Sequence, residues 1–232
     1  MRTFLFFAAA SLAAFTAPAS AATRNFGITD FTKVRVDGPY KVTVTSGVAP
    51  FARASGSGPA LDRLTVEVRG DTLVVQANKS GWGGYPGANP GPVEVSIGTH
   101  DLSNAWVNGA GSLIIDRVRG LSFALSVQGS GRGEIGAADA DQLSVSLVGT
   151  ASAKLSGKAK KLTALVRGIS ALDGTDLAAT DASIGTEGAA TIDANVKDEA
   201  NISSSGPATI RLTGRPTCTL RTGSSATVSG CR

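Results

Sequence analysis

A glycine recurs about every twenty residues from Gly109 onward, and each time it ends a short run in which apolar and polar residues alternate. The successive spacings are 20, 20, 19, 20, 18 and 17 residues. A fixed period of this length is typical of a solenoid, in which each repeat forms one turn and buries its apolar side only against its neighbours. The repeat therefore predicts a coil of stacked turns. The glycines that mark it are Gly109, Gly129, Gly149, Gly168, Gly188, Gly206 and Gly223.

Within each repeat the apolar residues alternate with small polar ones, which is the period of a β-strand. We expect the apolar set to line the interior and the polar set to face the solvent. A second apolar position follows each glycine by four to six residues, so we predict two strand segments per turn with the glycine at the corner. In the second repeat the residues predicted to point inward are Leu121, Phe123, Leu125 and Val127. The predicted polar outer face contains Ser122, Ser126, Gln128, Ser144, Ser146, Thr163 and Arg167.

These patterns predict an all-β fold. We expect a right-handed parallel β-helix of about seven glycine-cornered turns over residues 102–232, preceded by β-strands and hairpins over residues 26–101. Residues 34–36 and 41–45 are expected to form a hairpin around a turn at 37–39. A second turn is expected at 69–71, between the alternating runs 64–68 and 73–75. No segment has the pattern of an amphipathic helix.

The start of the chain resembles a secretory signal peptide, with Arg2, an apolar stretch over residues 5–15 and small residues at 19–21. We therefore assign residues 1–21 to a signal peptide and residues 22–232 to a single exported domain, in the periplasm or at the cell surface. No transmembrane segment is predicted in the mature chain. In an exported protein, Cys218 and Cys231 are expected to form a disulfide that holds the last turn, while the N-terminal strands cover the other end of the coil.

The charge distribution argues against several classes of function. The formal net charge is +4, with the basic residues scattered along the chain, so no nucleic-acid partner is predicted. The single histidine, His100, is not accompanied by the nucleophile signature of a catalytic triad, and we interpret it as an exposed turn residue. We predict no catalytic residue, no cofactor and no metal ion.

Three aspartates are the group most able to support an enzyme. Asp173, Asp176 and Asp193 come from adjacent repeats. Carboxylates on one outer face of a β-helix can act as an acid/base pair or as calcium ligands if they converge within about 5–10 Å. The interpretation that we favour is that all three are solvated turn residues.

Two aromatic residues lie in a loop rich in glycine and proline, at 79–92. Trp82 and Tyr85 are possible ligand contacts, because exposed aromatic rings stack on sugars or anchor a protein partner. The alternative is that they fold back and cap the apolar end of the coil. Trp106, in the first repeat, is interpreted as a packing residue.

Taken in order, three stretches of the chain resemble a known family. FTKVRVDGPYKVTVTSG at 31–47 and LDRLTVEVRGDTLVV at 61–75, followed by glycine corners such as QGSGRGEI at 128–135, are similar to the head GIN domain of auto-transporter adhesins. The resemblance extends over about 26–216. It implies an exported bacterial β-helix protein. The chain departs from an autotransporter because it has no C-terminal run of alternating ten-residue membrane strands, which favours the periplasm.

We therefore predict a non-enzymatic, adhesin-like binding protein. Its rigid coil would present a polar face to a cell-surface polysaccharide or to an envelope protein. Two alternatives stay open: a carbohydrate-active enzyme on the same scaffold, and a structural component of the cell envelope.

Overall fold

The protein is a parallel β-solenoid whose first turns are joined to a group of N-terminal strands. The computed structural model describes residues 22–78, 91–223 and 225–232, so the proposed signal peptide lies outside the described residues. The N-terminal elements are β1 (Ala22–Phe26), β2 (Lys33–Asp37), β3 (Lys41–Ser46), β4 (Phe51–Gly56), α1 (Gly58–Asp62), β5 (Leu64–Arg69), β6 (Thr72–Ala77), β7 (Glu94–Thr99) and β8 (Asn104–Gly109). The later strands are β9 (Ser112–Gly129), β10 (Arg132–Gly149), β11 (Ser152–Gly168), β12 (Ala171–Glu187), β13 (Thr191–Ser205), β14 (Thr209–Thr213), β15 (Thr217–Thr222) and β16 (Thr227–Ser229).

Five long strands form the regular part of the coil. Each of β9 to β13 contains 15 to 18 residues and makes nearly one whole turn. Each pairs in parallel with the next, so that Leu125 lies beside Val145 and Val145 beside Ala164. The two segments expected in each turn are therefore parts of one continuous strand. The predicted all-β solenoid is confirmed, with about six turns.

The glycine corners stack into one column along the coil. The six repeat glycines from Gly109 to Gly206 have positive φ, between +85° and +120°. A side chain there would collide with the backbone, since a Cβ on Gly149 would lie 2.7 Å from the carbonyl oxygen of Gly129. Glycine is required at this corner both for its conformation and for the close approach. Gly223 does not join the column, because an added Cβ would have no neighbour nearer than 3.9 Å. The regular corner thus ends one repeat earlier than the spacing predicts.

The interior consists of short columns of apolar side chains, one from each turn. Ile115, Ile135 and Leu155 occupy the same position in three successive turns and are fully buried. Burial of each such side chain contributes about 1.5–3 kcal/mol. In the later turns one column becomes polar, where the buried Thr186 hydroxyl donates to the hydroxyl of Ser204 at 2.7 Å. The pair satisfies its own hydrogen bonds, so the interior stays free of unpaired groups at this point.

The inward alternation is confirmed for Phe123, Leu125 and Val127, which are buried, and is wrong for Leu121, which is 79% exposed. Leu121 follows Gly120, whose φ is +125°. The strand bends there on its way from one face of the coil to the next. The bend resets the phase of the alternation, so the side chain of Leu121 points outward.

The hairpin predicted from residues 34–36 and 41–45 is wrong. β2 pairs in parallel with β6 and β8, whereas β3 pairs in parallel with β7 and β9. Between them Gly38 has a φ of +118°, and its amide donates to the carbonyl of Asn108 at 3.0 Å. Gly38 is therefore a corner next to Gly109. A glycine with positive φ suits a hairpin turn or a solenoid corner, and the local sequence is the same for both. The turn predicted at 69–71 joins β5 and β6, which do form an antiparallel hairpin.

The N-terminal end of the coil is closed by packed secondary structure. β1, β4 and β7 extend one face beyond β3, and β5 and β6 extend the other beyond β2. The short helix α1 connects β4 to β5, and its residues Ala60 and Leu61 are buried in the same core as the coil. Ser57 caps the helix by accepting a hydrogen bond from the amide of Ala60, at 3.3 Å. Arg24 holds its last turn by donating to the carbonyl of Leu61 at 2.8 Å.

The C-terminal end is closed by a covalent link. Beyond β13, the turn is divided into β14 and β15, and β16 covers part of β14. The predicted disulfide is confirmed: Cys218 in β15 is bonded to Cys231, 13 residues later. Both cysteines are half-buried against the core. Leu220 lies in the inward column next to Ile202, yet it is 48% exposed because no further turn covers it.

Candidate binding face

One face of the coil presents a sheet of small polar side chains. It is formed by the strand segments that precede each glycine corner, in β8 to β13 and in β15, and we call it the serine face. Its side chains alternate with the buried apolar columns. Its central residues are Trp106, Ala124, Ser126, Ser144, Ser146, Thr163, Leu165, Ser183, Gly185, Asn201, Ser203, Thr219 and Arg221.

The serine face is flat because its side chains are short. Ser126 lies beside Ser146, and Ser144 lies beside Thr163, in neighbouring turns. Successive turns are separated by the strand spacing of about 4.8 Å. Hydroxyl groups therefore recur at that interval along much of the coil axis, and Leu165 is the largest side chain in the middle of the face. The predicted outer positions Ser122, Ser126, Ser144, Ser146 and Thr163 all lie on this face.

An indole ring lies at the N-terminal end of the serine face. Trp106 points outward between the buried residues Ala105 and Val107, and it is half-buried. Trp106 therefore packs on the outer surface of the sheet and not in the interior of the coil. Its neighbours in the adjacent turns are Arg35 and Ser126. Toward the C-terminal turns the ring borders short side chains, beginning with Ser126.

A groove of about 560 Å³ crosses the C-terminal part of the serine face. It arises at Gly185, where the outward side chain is missing. Leu165 borders the gap, since a Cβ on Gly185 would lie 3.3 Å from its Cδ1 atom. Ser183, Asn201 and Ser203 supply polar groups along the sides, and Arg221 of β15 lies at the last turn. Alignment of the repeats by their glycines would have placed Leu165 and Gly185 in outward positions, which is the signal that the sequence analysis missed.

The charges at the border of the face are largely paired. Arg167 contacts Glu187 in the next turn, with Nε 3.0 Å from Oε2. At the bend on the other side, Lys160 contacts Asp141 at 2.9 Å. Exposed pairs of this kind contribute about 0–1 kcal/mol each. They leave the centre of the face dominated by hydroxyl and amide groups rather than by charge.

The three candidate aspartates lie on a different face, formed by the segments that follow each glycine. Asp173 and Asp193 are neighbours in adjacent strands. Each carboxylate faces a cation or a hydrogen-bond donor: Asp193 contacts Arg211 at 3.3 Å, and Asp176 contacts Lys154 at 3.4 Å. The structure therefore brings Asp173 and Asp193 together in one row, in which Lys154 and Arg211 flank the two carboxylates.

Asp173 is held by its own turn. Its Oδ1 accepts from the hydroxyl of Thr175 at 2.6 Å and from the amide of Thr175 at 3.2 Å. The hydroxyl hydrogen bond, followed by the amide hydrogen bond, holds the pKa of Asp173 below its ordinary value of 3.8. A general acid needs a raised pKa to keep its proton near neutral pH, so this shift is opposite to the one that an acid catalyst requires.

The remaining predicted positions are placed as follows. His100 is exposed, with Nδ1 3.4 Å from Oδ1 of Asp30. Across residues 22–78, 91–223 and 225–232, no group of three or more His, Cys, Asp or Glu side chains is arranged to hold a metal ion. Trp82 and Tyr85 lie outside the described residues. The described helix α1 is too short to cross a membrane.

Comparison with solved structures identifies the same fold in three bacterial proteins. A "putative adhesin" from Bacteroides fragilis has a TM-score of 0.82 at 19% identity, covering 91% of this chain and 97% of its own. A "putative lipid binding protein" from Parabacteroides distasonis has a TM-score of 0.72 at 19% identity, covering 90% and 95%. A "putative adhesin" from Parabacteroides merdae has a TM-score of 0.69 at 16% identity, with the same coverage of 90% and 95%. At these identities the likeness shows the fold alone.

A family model gives the assignment. No curated protein sequence matches the chain. The model described as "Putative auto-transporter adhesin, head GIN domain" matches residues 30–216, which include the N-terminal strands from β2 onward and all six stacked glycine corners. The resemblance found in the sequence is thereby confirmed: the chain belongs to the auto-transporter adhesin head GIN domain family.

Proposed function

We propose that the protein is a non-enzymatic, exported binding module that holds a linear cell-surface polysaccharide along its serine face. The observation that carries this proposal is the column of outward positions from Trp106 to Arg221, in which an aromatic ring, short hydroxyl side chains and a groove follow one another along the coil axis. Hydroxyl and amide groups bind sugar hydroxyls, and an aromatic face packs on a sugar ring. The adhesin-like family assignment supports a binding role.

Two observations favour binding over catalysis. The candidate aspartates lie away from the groove and are paired with Lys154 and Arg211. The lowered pKa of Asp173 opposes its use as a general acid. The carbohydrate-active enzyme is therefore the weaker alternative.

The test is a binding assay with immobilised cell-envelope polysaccharides, envelope proteins and phospholipid vesicles. We expect retention on polysaccharide. Trp106→Ala should weaken it about five- to 150-fold, since loss of a stacked ring removes about 1–3 kcal/mol by analogy with stacking on other ring systems. Retention on vesicles alone would instead favour a lipid ligand, as named for one structural neighbour. Retention on envelope protein alone would replace the polysaccharide with a protein partner.

A matched pair of substitutions locates the binding surface. Ser146→Arg places a long side chain in the middle of the serine face, and Ser152→Arg places the same side chain on the other face, also at a half-exposed strand position. We expect only Ser146→Arg to abolish retention, while both variants keep their melting temperature. Equal loss in both variants would contradict the assignment of the serine face.

The proposal also includes the predicted signal peptide and the two predicted aromatic ligand contacts. Residues 1–21 are proposed to be removed on export, and the intact mass of the protein recovered from periplasm and medium will show whether it begins at Ala22 and where it resides. Trp82 and Tyr85 are proposed as additional ligand contacts. Replacing both with Ala should reduce retention without changing stability, whereas a loss of stability would support the capping alternative.

A further inference from the structure

The groove on the serine face is lined by an arginine side chain that does not contribute an ion pair or a hydrogen bond to the described fold. Arg221 lies at the C-terminal end of the groove, in the last strand on this face. Arg167, on the same face, is neutralised by Glu187 at 3.0 Å. Arg221 by contrast is exposed and has neither an ion pair nor a hydrogen bond within the described residues.

The surrounding sequence keeps this positive charge uncompensated. No Asp or Glu occurs after Glu199, whereas four arginines do: Arg211, Arg215, Arg221 and Arg232. Arg211 contacts Asp193, and Arg232 donates to the hydroxyl of Thr217 at 3.2 Å. The guanidinium that lines the groove therefore belongs to a C-terminal segment of net positive charge, which favours an anionic ligand.

The other residues of the groove indicate the length and polarity of that ligand. From Leu165 through Gly185 and Ser203 to Arg221 there are three strand spacings, or about 14 Å. The floor is apolar where Leu165 borders Gly185, and the sides present the hydroxyl and amide groups of Ser183, Asn201 and Ser203. An apolar floor suits the C–H face of a sugar ring, and the polar sides suit its hydroxyls. A saccharide would use both the apolar floor and the polar sides, whereas a hydrocarbon chain would use the floor alone.

We propose, as an extension that rests on the proposed function, that the groove binds an acidic saccharide with Arg221 pairing to its carboxylate. The guanidinium can donate two parallel hydrogen bonds to a carboxylate, which gives both affinity and direction. The polysaccharide would then lie with a uronic-acid residue at the last turn and neutral or aromatic contacts toward Trp106.

The experiment uses oligogalacturonate of three to five residues and its methyl ester, in which each carboxylate loses its charge and gains a methyl group. Calorimetric titration of the purified protein should show binding of the acid at least tenfold tighter than binding of the ester, and weaker binding at high salt. Arg221→Gln should remove this preference. Arg132→Gln, an exposed arginine on the other face, should leave it unchanged.

Gly185→Gln provides a second, charge-neutral test, because φ at this position is not positive and a side chain there fills the groove. It should reduce binding of acid and ester alike.

Equal affinity for acid and ester, or an unchanged preference in Arg221→Gln, would overturn the assignment of Arg221. If those results occur while Trp106→Ala still weakens and Ser146→Arg still abolishes polysaccharide retention, the proposed function stands and only the acidic ligand is lost. A sulfated oligosaccharide bound in place of the carboxylate, with the same dependence on Arg221, would support anion pairing but reject the uronic acid.

Discussion

Each end of the coil has a turn with no neighbouring turn on one side, and the two end turns are covered in different ways. At the N-terminal end, α1 and the added strands bury Leu61 to 2% exposure. At the C-terminal end, Leu220 occupies an inward column but is 48% exposed, and the Cys218–Cys231 bond holds the last strands. A solenoid turn is stable only when another layer covers it. Secondary structure supplies that layer at the N-terminal end, and a covalent link replaces most of it at the C-terminal end.

The largest difference between the two ends is expected when a leucine is replaced by alanine at each of them. Leu61→Ala should lower the free energy of unfolding by about 2–5 kcal/mol, because it leaves a cavity in a buried site. Leu220→Ala should lower it by less than about 1 kcal/mol, because half of the side chain is already in water. Chemical denaturation of the two variants and the parent measures both values. Similar losses would mean that Leu220 is covered in solution.

Reduction of the disulfide should affect only the C-terminal end. The link closes a short loop of 13 residues in sequence separation, and its loss should lower the free energy of unfolding by about 2–3 kcal/mol. Hydrogen exchange with and without a reductant should show faster exchange in β15 and β16 and unchanged exchange in β1 to β5. The double variant Cys218→Ser with Cys231→Ser serves as the control that responds to no reductant. Accelerated exchange at both ends would contradict the local role.

Two glycines near the C-terminal end test where the regular coil stops. Gly206→Ala should cost about 2 kcal/mol, because its φ is +120° and the new Cβ would lie 2.9 Å from the backbone of Gly188. Gly223→Ala should cost less than about 1 kcal/mol, since that position has neither constraint. Thermal unfolding of the two variants measures the difference. A large loss in Gly223→Ala would extend the glycine column by one turn.

Lowering the pH should remove a small stabilising contribution at the N-terminal end and have no matching effect at the C-terminal end. Hydrogen bonds from Lys33, and then from Thr72, hold the pKa of Asp71 below its ordinary value of 3.8 at the N-terminal end. A lowered folded pKa contributes stability above the unfolded value, and this contribution is lost as the pH falls through the folded pKa. The melting temperature of Asp71→Asn should therefore differ slightly from that of the parent at pH 5 and converge with it below pH 3.8. The C-terminal end has no carboxylate side chain after Glu199 and should show no such local response in hydrogen exchange.

The architecture could be predicted because it depends on features that are local in sequence. Positive φ at Gly149 and burial of Leu125 are readable from the glycine period and the two-residue alternation. Leu121 could not be placed, because the bend at Gly120 changes the phase of the strand without interrupting it. The role of Gly38 depends on which strands lie beside it, and that information is not local.

The candidate site was harder to predict than the fold, for a related reason. The polar positions of the serine face follow from alternation alone. The groove requires that Leu165, Gly185 and Arg221 lie in one column, and this depends on the register between β11, β12 and β15. Leu165 and Gly185 each lie three residues before a repeat glycine and can be aligned by it, whereas Arg221 lies two residues before Gly223, so the glycine spacing places it one residue out of register.

The stacked glycine corners also make the length of the coil adjustable. Every regular turn enters and leaves through the same backbone geometry, so a join between two such corners is the same wherever it is made. Deleting residues 130–149, for example, places Thr150 directly after Gly129 and leaves the remaining glycines able to form one column. By this geometry the coil should accept the loss or gain of a whole turn, and with it a change of length, more easily than a single methyl group at a corner.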